Sequence, residues 1–386
     1  MPVTSRRKFL AGAVVFPYAL KAVAAGAAAS NSLVYFGCDT VGKAKGIYSA
    51  TWDASARKLT EPRLAVATTR PSYLAKHENF IYAVNAVASD TASVTVFERK
   101  ANGMLVELNS VSAGGFGPAY IAIHPSGRAA YIANYFGGSI STFDIHADGT
   151  LGGPVSHFQY QGHGPNAKRQ EAAHAHSSLL SPDARFLLVN DLGLDQIHIY
   201  QVDPKRPSML TLNNPDAWYS RPGVGPRHLA FTPDGRMAFN INELDSSVDV
   251  LEWDATTGTL TTVGEPISTL PEGFKGENTA AEILVSADGR FAYASNRGED
   301  SVVVFAIHLS KNKRGTAPTL TFVQRISCGG KTPRHITLSP DGRSLLAANQ
   351  SSASVVIFSR DISTGHLTDT GNRISVPDPM FILFAG

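Results

Sequence analysis

A unit of roughly fifty residues recurs along this chain, the period of a β-propeller in which each repeat forms one blade. It is clearest in Gly225-Pro226-Arg227-His228, followed by the turn Thr232-Pro233-Asp234-Gly235-Arg236, the pair Asn242-Glu243 and the alternating run Ser247-Val248-Asp249-Val250-Leu251. The phrase returns as Thr332-Pro333-Arg334-His335, Ser339-Pro340-Asp341-Gly342-Arg343, Asn349 and Ser354-Val355-Val356-Ile357-Phe358. Fainter copies open at Gly117-Pro118, His174-Ala175-His176 and Ala281-Glu282. Aligned on the asparagine, the anchors are Asn85, Asn134, Asn190, Asn242, Asn296 and Asn349. Each precedes an apolar run of period two, the mark of a strand. A seventh unit, Leu33–Gly37 and Gly46–Trp52, lacks its first strand, and Pro379–Phe384 is an apolar strand without a unit of its own. That segment supplies the missing strand, closing the ring and removing its edges. The expected fold is all-β, a seven-bladed propeller in one domain over residues 30–386.

The Pro-Asp-Gly turn joins the first strand of a unit to the second, because Pro presets φ and Gly accepts a positive one. The start of strand one and the end of strand two therefore lie on the same face of the ring. Arg227 and His228 become neighbours of Asn242 and Glu243 at one mouth of the central funnel. By repetition His174 and His176, Asn296 and Arg297, Arg334 and His335, and Asn134 and Tyr135 join them.

The first 29 residues read as an export leader. Ser5-Arg6-Arg7-Lys8-Phe9-Leu10 is a twin-arginine motif, an apolar stretch follows, and Ala27-Ala28-Ala29 offers a cleavage site. The protein is expected to use the twin-arginine (Tat) export machinery and to work in the periplasm or outside the cell, as a monomer. No apolar run in the body reaches the roughly eighteen residues of a membrane span. Formal net charge is +2, but Arg6, Arg7, Lys8 and Lys21 all sit in the leader, which carries no acid. The remainder has no basic excess for nucleic acid. Cys38 and Cys328 are the two cysteines; one pair is not a disulfide framework, and two buried thiols fit as well as a bridge.

The mouth gathers Arg227, Arg297 and Arg334, the acid Glu243, and the imidazoles His174, His176, His228 and His335. Arginine presents a planar donor fork suited to a carboxylate, a phosphate or a developing oxyanion. A nearby His or Glu can activate water at neutral pH. Together they suit an anionic substrate whose carbonyl is polarised while water attacks. No Gly-x-Ser-x-Gly elbow is present, and neither cysteine lies near these motifs. Each residue also has a plainer reading. Arg334 and His335 repeat Arg227 and His228 and could bond carbonyls between blades, and the recurrent asparagines suit turn capping. His174 and His176 share one strand face without a third ligand at a telling spacing, so neither metal nor cofactor is expected.

These phrases resemble the seven-bladed propeller lactonases, a family that includes the propeller type of 6-phosphogluconolactonase and the fungal carboxy-cis,cis-muconate cyclase. The matching stretches are Arg169-Gln170-Glu171 with His174-Ala175-His176-Ser177, Asn190-Asp191-Leu192-Gly193-Leu194-Asp195, Gly225-Pro226-Arg227-His228, Asn242-Glu243 through Val248, Ala281-Glu282-Ile283 and Ser295-Asn296-Arg297-Gly298. The resemblance covers essentially the whole chain after the leader. It implies metal-independent chemistry on a lactone by one His, two Arg and one Glu, which fall on His176, Arg227, Glu243 and Arg297. Arg227 and Arg297 would hold the carbonyl oxygen and an anionic substituent. Glu243 or His176 would take the proton of water, and the other would protonate the leaving oxygen. Substrate contacts are expected from His174, His228, Asn242, Asn296, Arg334, His335 and Tyr135.

The bacterial phosphogluconolactonases of this type serve a cytoplasmic pathway, whereas this chain carries an export leader. The expected substrate is therefore 6-phosphogluconolactone or, outside the cytoplasm, an unphosphorylated aldonolactone. A muconate-type cyclisation and a non-catalytic binding propeller are the alternatives.

Overall fold

The computed structural model describes residues 32–308 and 319–386. The expected leader, residues 1–29, lies outside the described residues. Among those described there are seven antiparallel sheets and a single 3-10 turn, Gln350–Ser352, and no helix is long and apolar enough to cross a membrane. We number the blades by their innermost strands: Pro71–His77 (blade 1), Pro118–Ile123 (2), Ala175–Leu180 (3), Pro226–Phe231 (4), Thr279–Val285 (5), Pro333–Leu338 (6) and Pro379–Phe384 (7). In blades 1 to 6 the strands follow one another outward in chain order.

Blade 7 is the closure. Pro379–Phe384 pairs antiparallel with Ser32–Cys38, with Val34 opposite Phe384 and Phe36 opposite Ile382. The end of the chain thus becomes the innermost strand of a sheet whose other strands come from its beginning. Seven apolar clusters fill the seven interfaces between neighbouring blades. Phe381 and Ile382 serve the two clusters that flank the closing strand. Each such side chain contributes about 1.5–3 kcal/mol on burial, and the closure pairs the inner edge that Ser32–Cys38 would otherwise leave open.

The repeated asparagine is a cap. Asn85, Asn134, Asn296 and Asn349 are buried at the end of their second strands, and each donates from Nδ2 to the carbonyl of the chain entering its blade: Thr69, Ala113, Thr269 and Cys328. A net hydrogen bond of this kind is worth about 1 kcal/mol, and leaving the carbonyl unmet would cost more. The anchor in blade 3 is not Asn190. Strand pairing places Asp191 opposite Ala175, the place Asn242 takes opposite Pro226, while Asn190 reaches Asn240 of blade 4. Asp191 does the capping there, accepting from the His174, Gly193 and Leu194 amides. Cys38 holds the same place in blade 7, opposite Pro379. Cys38 and Cys328 are both free and buried, in different clusters.

Candidate active site

The innermost strands carry a defect that builds the site. In six of the seven, register with the second strand is lost between the first and third residues, so the second residue stands unpaired; in blade 5, counted from Ala280, the slip runs to Ile283 and leaves Ala281 and Glu282 both unpaired. A bulge of this kind bends the strand and re-aims a side chain. The second-place residues Ser72, Ala119, His176, Arg334 and Met380 line an open cavity of about 410 Å³ on the axis. The third-place residues are Tyr73, Tyr120, Ser177, His228, Glu282, His335 and Phe381. They lie one step deeper and pack across the axis, with the Tyr73 ring 4.0 Å from Tyr120 and 3.9 Å from Phe381. Most of this layer also roofs a second, smaller polar cavity of about 210 Å³ lower on the axis.

Residues just after the caps complete the upper cavity: Tyr135, Glu243 and Arg297. Glu243 is 3% exposed and receives three guanidinium groups. Arg227 Nε and Arg297 each lie 2.9 Å from Oε2, and Arg169 donates to Oε1. His176 Nε2 stands 3.9 Å from Oε2. Arg169 comes from the irregular segment between blades 2 and 3 and also donates to the Tyr135 hydroxyl at 3.3 Å. Its neighbour Gln170, fully buried, pins that segment by donating to the Leu192 carbonyl and to Asp195.

Burial alone would raise the Glu243 pKa, but Arg297, Arg227, His176 and Arg169 together outweigh it and hold the carboxyl well below the usual range. Such a carboxylate is a poor base, and its oxygens are already taken by donors. His176 moves down for other reasons: burial first, then the nearby Arg227 and His228. It is neutral at pH 7. Arg334 also lines the cavity and has no acid within ion-pair distance among the described residues. Burial, then Arg297 and Arg227, push its guanidinium down to about 9, so it remains a cation at neutral pH. Arg70, at the rim, is paired with Asp39 at 3.2 Å. The cavity therefore has a cationic surplus, while Ala86, Pro118, Ala119, Phe136 and Met380 give it an apolar wall.

The burial of three neutral imidazoles has a consequence for stability. Desolvation places His176, His228 and His335 below their usual value, His335 at about 4. Unfolded, each takes up a proton near pH 6.5. The unfolded chain thus binds more protons than the folded one below that pH, and stability falls as pH drops from about 6.5 toward 4. Urea midpoints measured across this range should fall steadily. A midpoint constant down to pH 4.5 would contradict the assignment.

Of the expected catalytic group, the fold brings His176, Arg227, Glu243 and Arg297 together. Arg227, however, is 2% exposed and lies behind Glu243 rather than on the cavity wall. Tyr135 and Arg334 are on the wall as expected. His228 and His335 belong to the deeper layer, because the bulge sends second and third residues to different levels. His174 is spent on support: its ring stacks on Tyr135 at 4.5 Å, with Nδ1 on the Tyr135 carbonyl and Nε2 on Glu171. Asn242 and Asn296 are fully buried in caps and networks, bonded to Ser247 and Asp249 and to Thr269 and Ser301, away from the cavity. Neither lies on the cavity wall. Among the described residues no cluster of three or more His, Cys, Asp or Glu is arranged to hold a metal.

Sequence reasoning passed over Arg169, Arg70 and Glu282 as site residues. Arg169 lies in the connection between blades 2 and 3, and Arg70 stands just before Pro71, where the repeat elsewhere carries Gly117, Gly225 and Thr332 and signals only a turn. Glu282 was visible as an acid at the position where blades 4 and 6 carry histidine.

A model of the seven-bladed β-propeller lactonases matches residues 33–384. The chain belongs to that family. It is 32% identical to the 6-phosphogluconolactonase of Bacillus subtilis over 353 residues, covering 91% of this chain and 97% of that one. Among solved structures, the periplasmic gluconolactonase of Pseudomonas aeruginosa superposes with a TM-score of 0.84 at 31% identity, covering 92% of this chain and 99% of the other. A Lactobacillus plantarum protein gives 0.85 at 33%, with 92% and 100% covered. This propeller lactonase thus shares its whole ring with its relatives.

Proposed function

We propose that this lactonase hydrolyses a sugar lactone in the upper cavity, with His176 as the base. The observation that carries the reading is the contrast between two neighbours. Glu243 is an anion held by three guanidinium groups, whereas His176 is neutral beside it. A water molecule gives its proton to His176 as its oxygen bonds to the lactone carbonyl carbon. The carbonyl oxygen becomes an oxyanion facing Arg297, with Arg169 as a second donor on the wall. Collapse breaks the bond to the ring oxygen, which takes the proton back from His176 and leaves an open hydroxy acid. Glu243 keeps the donors oriented, and Arg227 fixes Glu243 from behind.

Arg334, a cation without an acid partner, receives an acidic substituent when the lactone carries one. The test compares glucono-1,5-lactone with its 6-phosphate, following the acid product by NMR above the spontaneous rate. Arg334→Gln should raise KM for the phosphate more than tenfold and change KM for the neutral lactone less than threefold. Equal effects on both would remove Arg334 from substrate recognition.

The leader and the resemblance to a periplasmic gluconolactonase support export and an unphosphorylated lactone as the substrate met there. Replacing Arg6 and Arg7 by lysine should retain the protein in the cytoplasmic fraction; unchanged export would rule out the twin-arginine route.

A further inference from the structure

Below the cavity floor, the third-place residues of blades 4, 5 and 6 form a buried cluster that the proposed reaction does not touch. His228 Nδ1 lies 2.8 Å from Glu282 Oε1, and His228 Nε2 lies 3.3 Å from Arg227 Nη1. Arginine can only donate. His228 Nε2 is therefore the lone-pair nitrogen, and its proton is on Nδ1, given to Glu282. On the other side, His335 Nδ1 accepts the Ile382 amide at 3.3 Å, which turns its Nε2 proton toward Glu282 Oε2 at 3.7 Å. Glu282 is 7% exposed, and Oε1 also accepts its neighbour's amide from Ile283 at 3.2 Å.

We infer that His228, locked by Glu282 in its Nδ1–H tautomer, is a positioning residue for Arg227 and, through it, for Glu243. Arg227 is held at three points: Nε by Glu243, and Nη1 by His228 and by the Ala281 carbonyl. Ala281 occupies the second place in blade 5, where blades 3, 4 and 6 carry His176, Arg227 and Arg334, and Arg227 lies across to its carbonyl. The result is an unbroken chain from Glu282 through His228 and Arg227 to Glu243 at the cavity floor. With the other tautomer, or with a proton on both nitrogens, an N–H would face the guanidinium and the hold would be lost. Burial outweighs the opposing pull of Glu282 and, with Arg227 and Arg334 nearby, lowers the His228 pKa, which favours the neutral form on which this depends. A carboxylate that fixes the tautomer of an imidazole is a general device for orienting what the imidazole holds. Here it holds a guanidinium instead of a nucleophile or a metal.

The kinetic part of this inference rests on the lactonase reading; the tautomer does not. The experiment uses the whole mature chain and four forms: wild type, His228→Phe, His228→Gln and Glu282→Gln. Imidazole nitrogen-15 shifts give the tautomer of His228, assigned by loss of its signal in the His228 variants. Lactone hydrolysis gives kcat and KM. We expect wild-type His228 protonated at Nδ1. His228→Phe should lose at least thirtyfold in kcat with KM within threefold, and His228→Gln, which keeps an acceptor for Arg227, should recover at least fivefold of that. Glu282→Gln, able to donate to Nδ1, should bring in the Nε2–H form and lower kcat. An Nε2–H wild type, or equal losses in His228→Phe and His228→Gln, would overturn the inference. Should His228→Phe fail to fold, the tautomer and the Glu282→Gln kinetics still decide it. If wild type opens no lactone at all, the lactonase reading falls, and the tautomer alone keeps or overturns the arrangement.

Discussion

Glu243→Gln is expected to destabilise the folded lactonase by about 3–5 kcal/mol, the usual loss when one member of a buried charge cluster is removed. Arg169, Arg227 and Arg297 would then face one another with no carboxylate between them. The variant should be rescued in part by added phosphate, which can take the empty place among the three cations, whereas wild type should respond less. The pH dependence follows from the direction of the Glu243 shift. Its folded pKa lies below its unfolded value of about 4.3. Its contribution is therefore complete above that value and lost as pH falls through the lower, folded one. The gap between wild type and Glu243→Gln should be constant at neutral pH and close only in strong acid. Urea denaturation of both proteins from pH 7 to pH 3 measures it, and a variant within about 1 kcal/mol of wild type at pH 7 would show the carboxylate is not the keystone of the cluster.

Arg297→Ala should leave the fold close to wild type, because Arg297 is a partly exposed wall residue and Glu243 keeps two other partners. Its effect should fall on catalysis. One preorganised donor to an oxyanion is worth roughly 3–4 kcal/mol in the transition state, so kcat should drop by about 10²–10³ while KM moves little. Arg227→Ala should also cost about a hundredfold or more, but with a loss of stability that Arg297→Ala lacks, because Arg227 lies behind Glu243. If the two variants behaved alike in both stability and kcat, the distinction between wall and buttress would fail.

That distinction marks where the sequence stops being readable. The blade count, the closing strand and the convergence on one mouth all follow from period and turn chemistry, which are local. So does the meeting of His176, Arg227, Glu243 and Arg297, since hairpin geometry fixes which strand ends share a face. What period two does not encode is a bulge. Adjacent residues of a strand are expected on opposite faces, yet Arg227 and His228 end at different depths along the axis because the strand slips register between Pro226 and His228. For the same reason His335 leaves the cavity while Arg334 stays in it. Asn242 and Asn296 are expected at the mouth with Glu243 and Arg297, but both side chains turn into the blade, Asn242 onto Ser247 and Asp249 and Asn296 onto the Thr269 carbonyl. The blade 3 anchor was misread by one place because Asn190 and Asp191 are both polar and the pairing, unseen in the sequence, picks the second. Arg169 depends on a long irregular segment whose path is set by Gln170 and Asp195, contacts far apart in the chain.

Hydrolysis at the Arg297 wall is measured most directly as proton release by the purified mature protein on glucono-1,5-lactone and on its 6-phosphate, corrected for spontaneous opening, with Arg297→Ala alongside. At least one lactone should open faster than its spontaneous rate, and the acceleration should be at least a hundredfold smaller in the variant. No acceleration of either, or equal rates in the two proteins, would contradict it.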